Sequence, residues 1–270
     1  TTILCEDGTN VTADLFIDCT GFKSMLLEGW MGQQFIPFDK HLANDSAWAC
    51  RLPYTNREEQ MHNVTDCHAL GNGWVWNIPL WSRIGTGYCF SSRFISKEGA
   101  QMEFKEHLEA TYGKDIADAA DMFHIKIKHG YRRKAFVKNV VGIGLSYGFV
   151  EPLESTGLLT THENILKLVD LINRRKGYIT NSEKEAYNFS VEYDLVGFRD
   201  FVSMHYALSM RTDTPYWRWA TQTNEYHPLQ FNDFIPQYNV YTNLLVALQS
   251  ANTFQEANQG ANYIAAGMGI

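Results

Sequence analysis

Apolar residues along this chain gather in short runs broken by turn signals, which predicts a mixed body of strands and helices. Two runs, Thr2-Ile3-Leu4 and the stretch around Val11, flank Asp7-Gly8, a pair that favours a hairpin turn. Leu15-Phe16-Ile17-Asp18-Cys19 is a continuous run, the pattern of a strand buried on both faces, and Thr20-Gly21-Phe22 closes it. From about 30 to 129 the text is mixed. Gly73-Trp74-Val75-Trp76-Asn77-Ile78-Pro79-Leu80 and Gly87-Tyr88-Cys89-Phe90-Ser91 predict strands. A helix follows from about 97 to 112, with Phe104 and Leu108 at i and i+4. Asn139-Val140-Val141-Gly142-Ile143-Gly144-Leu145 predicts another short buried strand and leads through a loop into a helix. There Ser155 and Thr156 offer capping hydroxyls, and Leu158, Ile165, Leu168, Val169 and Ile172 keep helical spacing. Arg174-Arg175-Lys176-Gly177 ends it as the helix dipole prefers. The remainder, about 180 to 270, reads as helical, with 198–209 and 238–249 its best segments.

Composition narrows the class. With 270 residues, 45% apolar and 20% charged, the chain is an ordinary globular protein with room for a sizeable core. Its net charge of −7 and lack of a basic stripe argue against a nucleic-acid surface; the longest cationic cluster is Tyr131-Arg132-Arg133-Lys134. Five cysteines, an odd number without a Cys-x-x-Cys pair, predict a reduced, cytoplasmic chain, and the adjacent Cys67-His68 lacks partners at metal-ligand spacing. No apolar stretch reaches membrane length and no signal peptide opens the sequence. The first residue is Thr1 and the last segment is apolar, so both ends read as cut.

Three segments carry candidate chemistry. Ala13-Asp14-Leu15-Phe16-Ile17-Asp18-Cys19-Thr20-Gly21-Phe22 is a strand ending in Thr-Gly, where a glycine lets backbone pass close to a bound cofactor. By itself this is commonplace. Trp74-Val75-Trp76-Asn77-Ile78-Pro79 puts both indoles on one face of a strand, which also suits plain sheet packing. The segment from Val140 through Gly148-Phe149-Val150-Glu151-Pro152-Leu153-Glu154-Ser155-Thr156-Gly157 reads as strand, glycine-containing loop and helix start. The free N–H groups of a helix N-terminus make an anion site. Glu154 alone could be a dipole-stabilising acid worth about 0.3–1 kcal/mol, and Ser155 a simple cap.

Together these segments resemble the flavin-dependent halogenase family, through Trp-x-Trp-x-Ile-Pro at 74–79 and above all Phe-Val-Glu-Pro-Leu-Glu-Ser-Thr-Gly at 149–157. A softer match covers 198–209 and Asp213-Thr214-Pro215-Tyr216-Trp217-Arg218, read as structural, with His205 satisfying a core hydrogen bond. The likeness runs from about 10 to 218 and more faintly to the end. It implies an α/β fold, FAD-binding monooxygenase-like (p-hydroxybenzoate hydroxylase-like), with a mixed β-sheet and a helical C-terminal part. In it, 1–29 and 130–178 belong to the FAD-binding domain, 30–129 to a substrate-side sheet region and 179–270 to a helical region.

The implied chemistry uses reduced FAD from a separate flavin reductase, dioxygen and a halide ion to make hypohalous acid. That species halogenates an electron-rich, indole- or tryptophan-like aromatic. The resemblance makes Glu154 the catalytic carboxylate, grouped with Ser155, Trp74 and Trp76. It assigns the halide to Thr156 and Gly157, and the flavin to Thr20, Gly21, Phe22, Ile143, Gly144, Leu145, Phe149, Glu151 and Pro152. It implies no metal, no nucleic acid and no membrane, and leaves an oligomer open. The family's Gly-x-Gly-x-x-Gly fingerprint and catalytic Lys segment are not in this sequence, so an N-terminal portion is expected to be absent or supplied by another chain. Two alternatives stay open: an FAD-dependent aromatic monooxygenase that hydroxylates, and a truncated non-catalytic relative.

Overall fold

A computed structural model of the protein describes residues 2–223 and Ile264; the helix expected at 238–249 lies outside the described residues. The strands are β1 (Thr2–Leu4), β2 (Asn10–Thr12), β3 (Phe16–Asp18), β4 (Phe35–Pro37), β5 (Ser46–Leu52), β6 (Asp66–Leu70), β7 (Gly73–Pro79), β8 (Ile84–Phe90), β9 (Phe123–Lys126), β10 (Gly130–Arg132), β11 (Phe136–Val137), β12 (Val140–Gly142) and β13 (Gly148–Phe149). The helices are α1 (Arg57–Gln60), α2 (Lys97–Tyr112), α3 (Lys114–Ala119), α4 (Thr156–Arg175), α5 (Asn181–Ala207) and α6 (Pro215–Arg218). They divide between two compact units, one of Thr1–Phe38 and Lys128–Asp200, the other of Asp39–Ile127 and the segment from Phe201 on. Among the described residues no helix is long and apolar enough to cross a membrane.

In the first unit β1 and β2 form the hairpin that Asp7-Gly8 predicts, with Gly8 donating to the Cys5 carbonyl at 2.9 Å. A second sheet runs β11-β12-β3, and its β12–β3 pair is parallel, Val140 beside Phe16 and Gly142 beside Asp18. A third, antiparallel, runs β13-β10-β4. The run at 15–19 is not buried throughout: Phe16 and Asp18 point inward while Ile17 is exposed. In such a strand successive side chains face opposite ways, and only one face of β3 is covered among the described residues.

α4 appears where the apolar spacing predicts it, but that spacing misjudges its inward face. Leu168 and Leu171 are buried together with Asn164, whereas Leu158, Ile165 and Val169 are exposed. The expected basic and glycine ending is present: Lys176 adopts a left-handed conformation, and Gly177 donates to the Ile172 carbonyl at 3.0 Å.

The second unit is built on a five-stranded antiparallel sheet in the order β6-β7-β8-β5-β9. α2 lies against one face of it, as the i, i+4 pair predicts. Ala100, Phe104 and Leu108 are fully buried against Trp48, Leu52, Val75, Tyr88 and Phe90. Burying each large side chain of that kind contributes about 1.5–3 kcal/mol. Ser96 caps the helix by accepting from the Gly99 N–H at 3.0 Å, and Gly113, at φ 90°, ends it. The runs at 73–80 and 87–91 are the adjacent strands β7 and β8.

Candidate active site

Parallel neighbours send their following loops out at the same edge of a sheet, and in open α/β folds ligands bind at that carboxyl edge. Here β3 leads into Thr20-Gly21-Phe22 and β12 into Ile143-Gly144-Leu145, so the sheet brings those two loops side by side. Their roots are tied. The buried Ser146 hydroxyl donates to the carbonyls of Asp18 and Ile143, and the Ile143 N–H donates to the Asp18 carbonyl at 3.0 Å. The buried Ser24 hydroxyl donates to the Ser146 carbonyl at 2.7 Å.

Asp18 organises the first loop. Its side chain accepts from the Thr20 N–H and hydroxyl at 3.0 and 2.6 Å, and from the Leu26 and Leu27 N–H groups at 2.9 and 2.8 Å. The last two are opening N–H groups of the short π-helix Met25–Trp30, where a negative charge is favourable. Burial pushes the Asp18 carboxyl up, but the Thr20 hydroxyl and the three backbone N–H donors outweigh it and hold it below the usual carboxylate range.

The third segment closes on the same place. β13 carries Phe149, whose ring meets Phe22 edge-on at 5.7 Å between centroids. Phe149 also lies beside Gly157: a Cβ there would sit 3.5 Å from its ring. Glu151 is fully buried, Pro152 opens the short 3-10 turn Pro152–Glu154, and Glu154 is half-buried at its end. Gly144, at φ 65°, occupies a conformation other residues adopt with strain, next to Thr161 of α4.

The helix start departs from the capping expectation. Ser155 takes a left-handed conformation (φ 55°) and makes no side-chain cap bond; its N–H closes the preceding turn onto the Pro152 carbonyl at 2.9 Å. A side chain caps from an extended backbone, which Ser155 lacks. The first-turn N–H groups of α4 therefore keep no side-chain cap. Beside them Thr156 is buried, and its Oγ1 has no hydrogen-bond partner among the described residues. A buried hydroxyl next to uncapped amides suits a small anion.

Trp74 and Trp76 belong to the second unit. They alternate with Val75, which faces the α2 core, so both indoles lie on the other face of the sheet with ring centroids 6.0 Å apart. Gly87 on β8, opposite Trp76, makes room for its indole: a Cβ there would sit 2.2 Å from the ring. The turn before Trp74 is pinned from several sides. Glu103 accepts from the Gly71 N–H at 2.7 Å and the Tyr88 hydroxyl at 2.8 Å. Thr214 donates to the Gly71 carbonyl at 2.6 Å, and Trp217 to that of Leu70 at 2.7 Å. This gives the Asp-Thr-Pro segment its structural task. His205 bonds within α5, to the Phe201 carbonyl at 3.0 Å.

Sequence reasoning passed over Asp18, Ser24, Ser146, Arg132 and Gly87. Only Asp18 left a signal, a carboxylate inside an apolar strand just before Thr-Gly. Arg132, read as part of a cationic cluster, is fully buried, while Arg133 beside it is exposed.

The family model for tryptophan halogenase matches residues 1–270. Tryptophan 7-halogenase KtzQ of Kutzneria sp. (strain 744) is 36% identical over 219 residues, covering 81% of this chain and 40% of that protein. The VirX1 apo structure is 55% identical with a TM-score of 0.86, covering 98% of this chain and 50% of that one. Tar14, a tryptophan C-6 flavin-dependent halogenase (chlorinase) from taromycin biosynthesis, is 31% identical with a TM-score of 0.75, over 99% of this chain and 57% of that one. The chain thus spans about 40% of the length of the curated relatives it matches, and about half of the solved structures. Its α/β architecture is that of the FAD-binding, p-hydroxybenzoate hydroxylase-like fold of flavin-dependent halogenases. On this match along the whole sequence, the chain belongs to the tryptophan halogenase family.

Proposed function

We propose that the protein is a flavin-dependent halogenase, which with reduced FAD, dioxygen and a halide makes hypohalous acid and halogenates an indole- or tryptophan-like aromatic. The observation that carries this reading is the start of α4, where a buried Thr156 hydroxyl without a partner sits beside uncapped first-turn amides. The tryptophan-acting relatives support the substrate class.

The residues present fit both groups. For the halide, the Thr156 hydroxyl and the N–H groups of Thr156 and Gly157 offer donors where the helix dipole favours an anion. For the flavin, Thr20, Gly21, Phe22, Ile143, Gly144 and Leu145 lie on the loops at one sheet edge, and Phe149, on a neighbouring sheet with Glu151 and Pro152 after it, meets the Phe22 ring. When bound, reduced FAD supplies, with dioxygen, the oxidising equivalent that turns halide into electrophilic halogen; a flavin reductase is the source of the reduced form. Thr156 and Gly157 hold the halide in place. Phe149, ring against ring with Phe22, lies beside Gly157 as an apolar neighbour of that position. Trp74 and Trp76, side by side on the sheet of the second unit, are the bulky apolar pair that the family resemblance groups with the catalytic residues, and Glu154 takes the proton that the ring releases once halogen has added. Ser155, in its left-handed conformation, makes no cap bond and so leaves the first amides of α4 open to the halide.

Glu154→Gln in the full-length protein is expected to keep the fold and FAD affinity and to lower halogenation about 10²–10⁴-fold. Halide-dependent product mass is the readout. Undiminished turnover takes Glu154 out of the mechanism, and an oxygenated product independent of halide makes the protein a hydroxylase instead.

A further inference from the structure

We propose that Arg132 is a positioning residue for the flavin, its guanidinium setting the spacing between loops 20–22 and 143–145. The inference rests on the reading that assigns those loops to FAD. Arg132 lies on β10 with its side chain fully buried. Its Nη2 donates to the Phe22 carbonyl at 2.9 Å and its Nη1 to the Leu145 carbonyl at 3.1 Å, so one planar group grips both loops, 110 and 13 residues away in sequence. Nε and Nη2 also donate to Glu28 Oε2, at 3.0 and 2.6 Å. The Phe35 ring lies 5.0 Å from the guanidinium carbon.

A buried charge is retained only where its donors are matched, and these acceptors lie in the directions a guanidinium fork presents. The Glu28 end is held by charge as well. Burial pushes its carboxyl up, but the hydrogen bond and charge of Arg132, helped by Lys128 at 3.4 Å, hold it below the usual range. The Ser146 bond to Asp18 and the Ser24 bond to Ser146 already tie the two segments at positions flanking the loops. Arg132 adds a tie within the loops themselves, at the carbonyls of Phe22 and Leu145, and the Phe22 ring is the one that meets Phe149. Lysine carries the charge but not the fork, so it cannot reach both carbonyls and Glu28 together.

The test uses the full-length protein and its Arg132→Lys, Arg132→Met and Glu28→Gln variants, with exposed Arg133→Met as control. FAD dissociation constants are measured by fluorescence titration well below the melting temperature, alongside thermal midpoints and the absorption spectrum of bound flavin. Arg132→Lys is expected to weaken FAD binding about tenfold and to shift the flavin spectrum while the protein stays folded. Glu28→Gln is expected to weaken binding less, and Arg133→Met not at all. If Arg132→Met does not fold, Arg132→Lys and Glu28→Gln decide. FAD binding within twofold of the parent in both, whatever happens to the midpoint, makes Arg132 merely structural and overturns the proposal. A parent that binds no FAD sinks the flavin reading and this inference with it, whereas a parent that binds FAD beside unaffected variants sinks this inference alone.

Discussion

Four hydrogen bonds converge on the buried Asp18 carboxylate, two from Thr20 and one each from the Leu26 and Leu27 N–H groups. Because its pKa is held below that of the unfolded chain, its contribution to stability is complete above about pH 4 and is lost as the pH falls through the folded-state value. Asp18→Asn keeps the shape but turns an amide NH2 toward N–H donors or leaves them unmet, at a cost of about 1.5–3 kcal/mol. Urea denaturation at pH 7 should show that loss, and the gap from the parent should narrow below pH 4; a constant gap would separate Asp18 from the acid response. The sequence marks this residue only as a polar break in an apolar run. Its partners at 26 and 27 come from a π-helical turn that no local pattern announces. Ser155 carries the opposite lesson: its residue type suggests a cap, yet its backbone conformation, set by the turn from Pro152, withholds one.

At the scale of elements, the parallel pairing of β3 with β12 places the two candidate flavin loops together, although 121 positions separate Gly21 from Gly142. Each strand is legible from its own apolar run; their adjacency is not, since hydrophobic runs do not name their partners. On the sheet of the second unit the pairing of Trp76 with Gly87 is a matched large and small pair. Gly87→Ala would drive a methyl into the indole and close to the Trp48 carbonyl, 2.7 Å away. Overpacking of this kind costs about 1–3 kcal/mol. A lowered thermal midpoint with altered tryptophan fluorescence is the expected result, and an unchanged spectrum would mean that the indole does not rest there. α4 is a further case. Its period and its basic, glycine-marked ending are written in the sequence, but which stripe turns inward depends on what packs against it, and three of the five periodic apolar positions are exposed.

At the scale of the molecule, the chain divides into two compact units, and the second has its own core of α2 on a five-stranded sheet. Phe104, fully buried there with its ring 6.3 Å from that of Tyr88, should cost about 3–5 kcal/mol when replaced by alanine. Because local opening follows the core to which a segment belongs, hydrogen exchange should accelerate most in β5, β7 and β8. Faster exchange confined to β3 and β12 would contradict that assignment. By itself the sequence determined the elements whose signals are local: the first hairpin, α2 with its buried pair, the strands read at 73–80 and 87–91, α4 and its ending. It also determined the family, because the strings at 74–79 and 149–157 survive as contiguous motifs. Only the tertiary structure decided which loops meet, which amides stay uncapped, and that one arginine of a cationic cluster belongs inside. Those outcomes depend on groups far apart in the chain whose burial and hydrogen bonding exist only after the strands have paired.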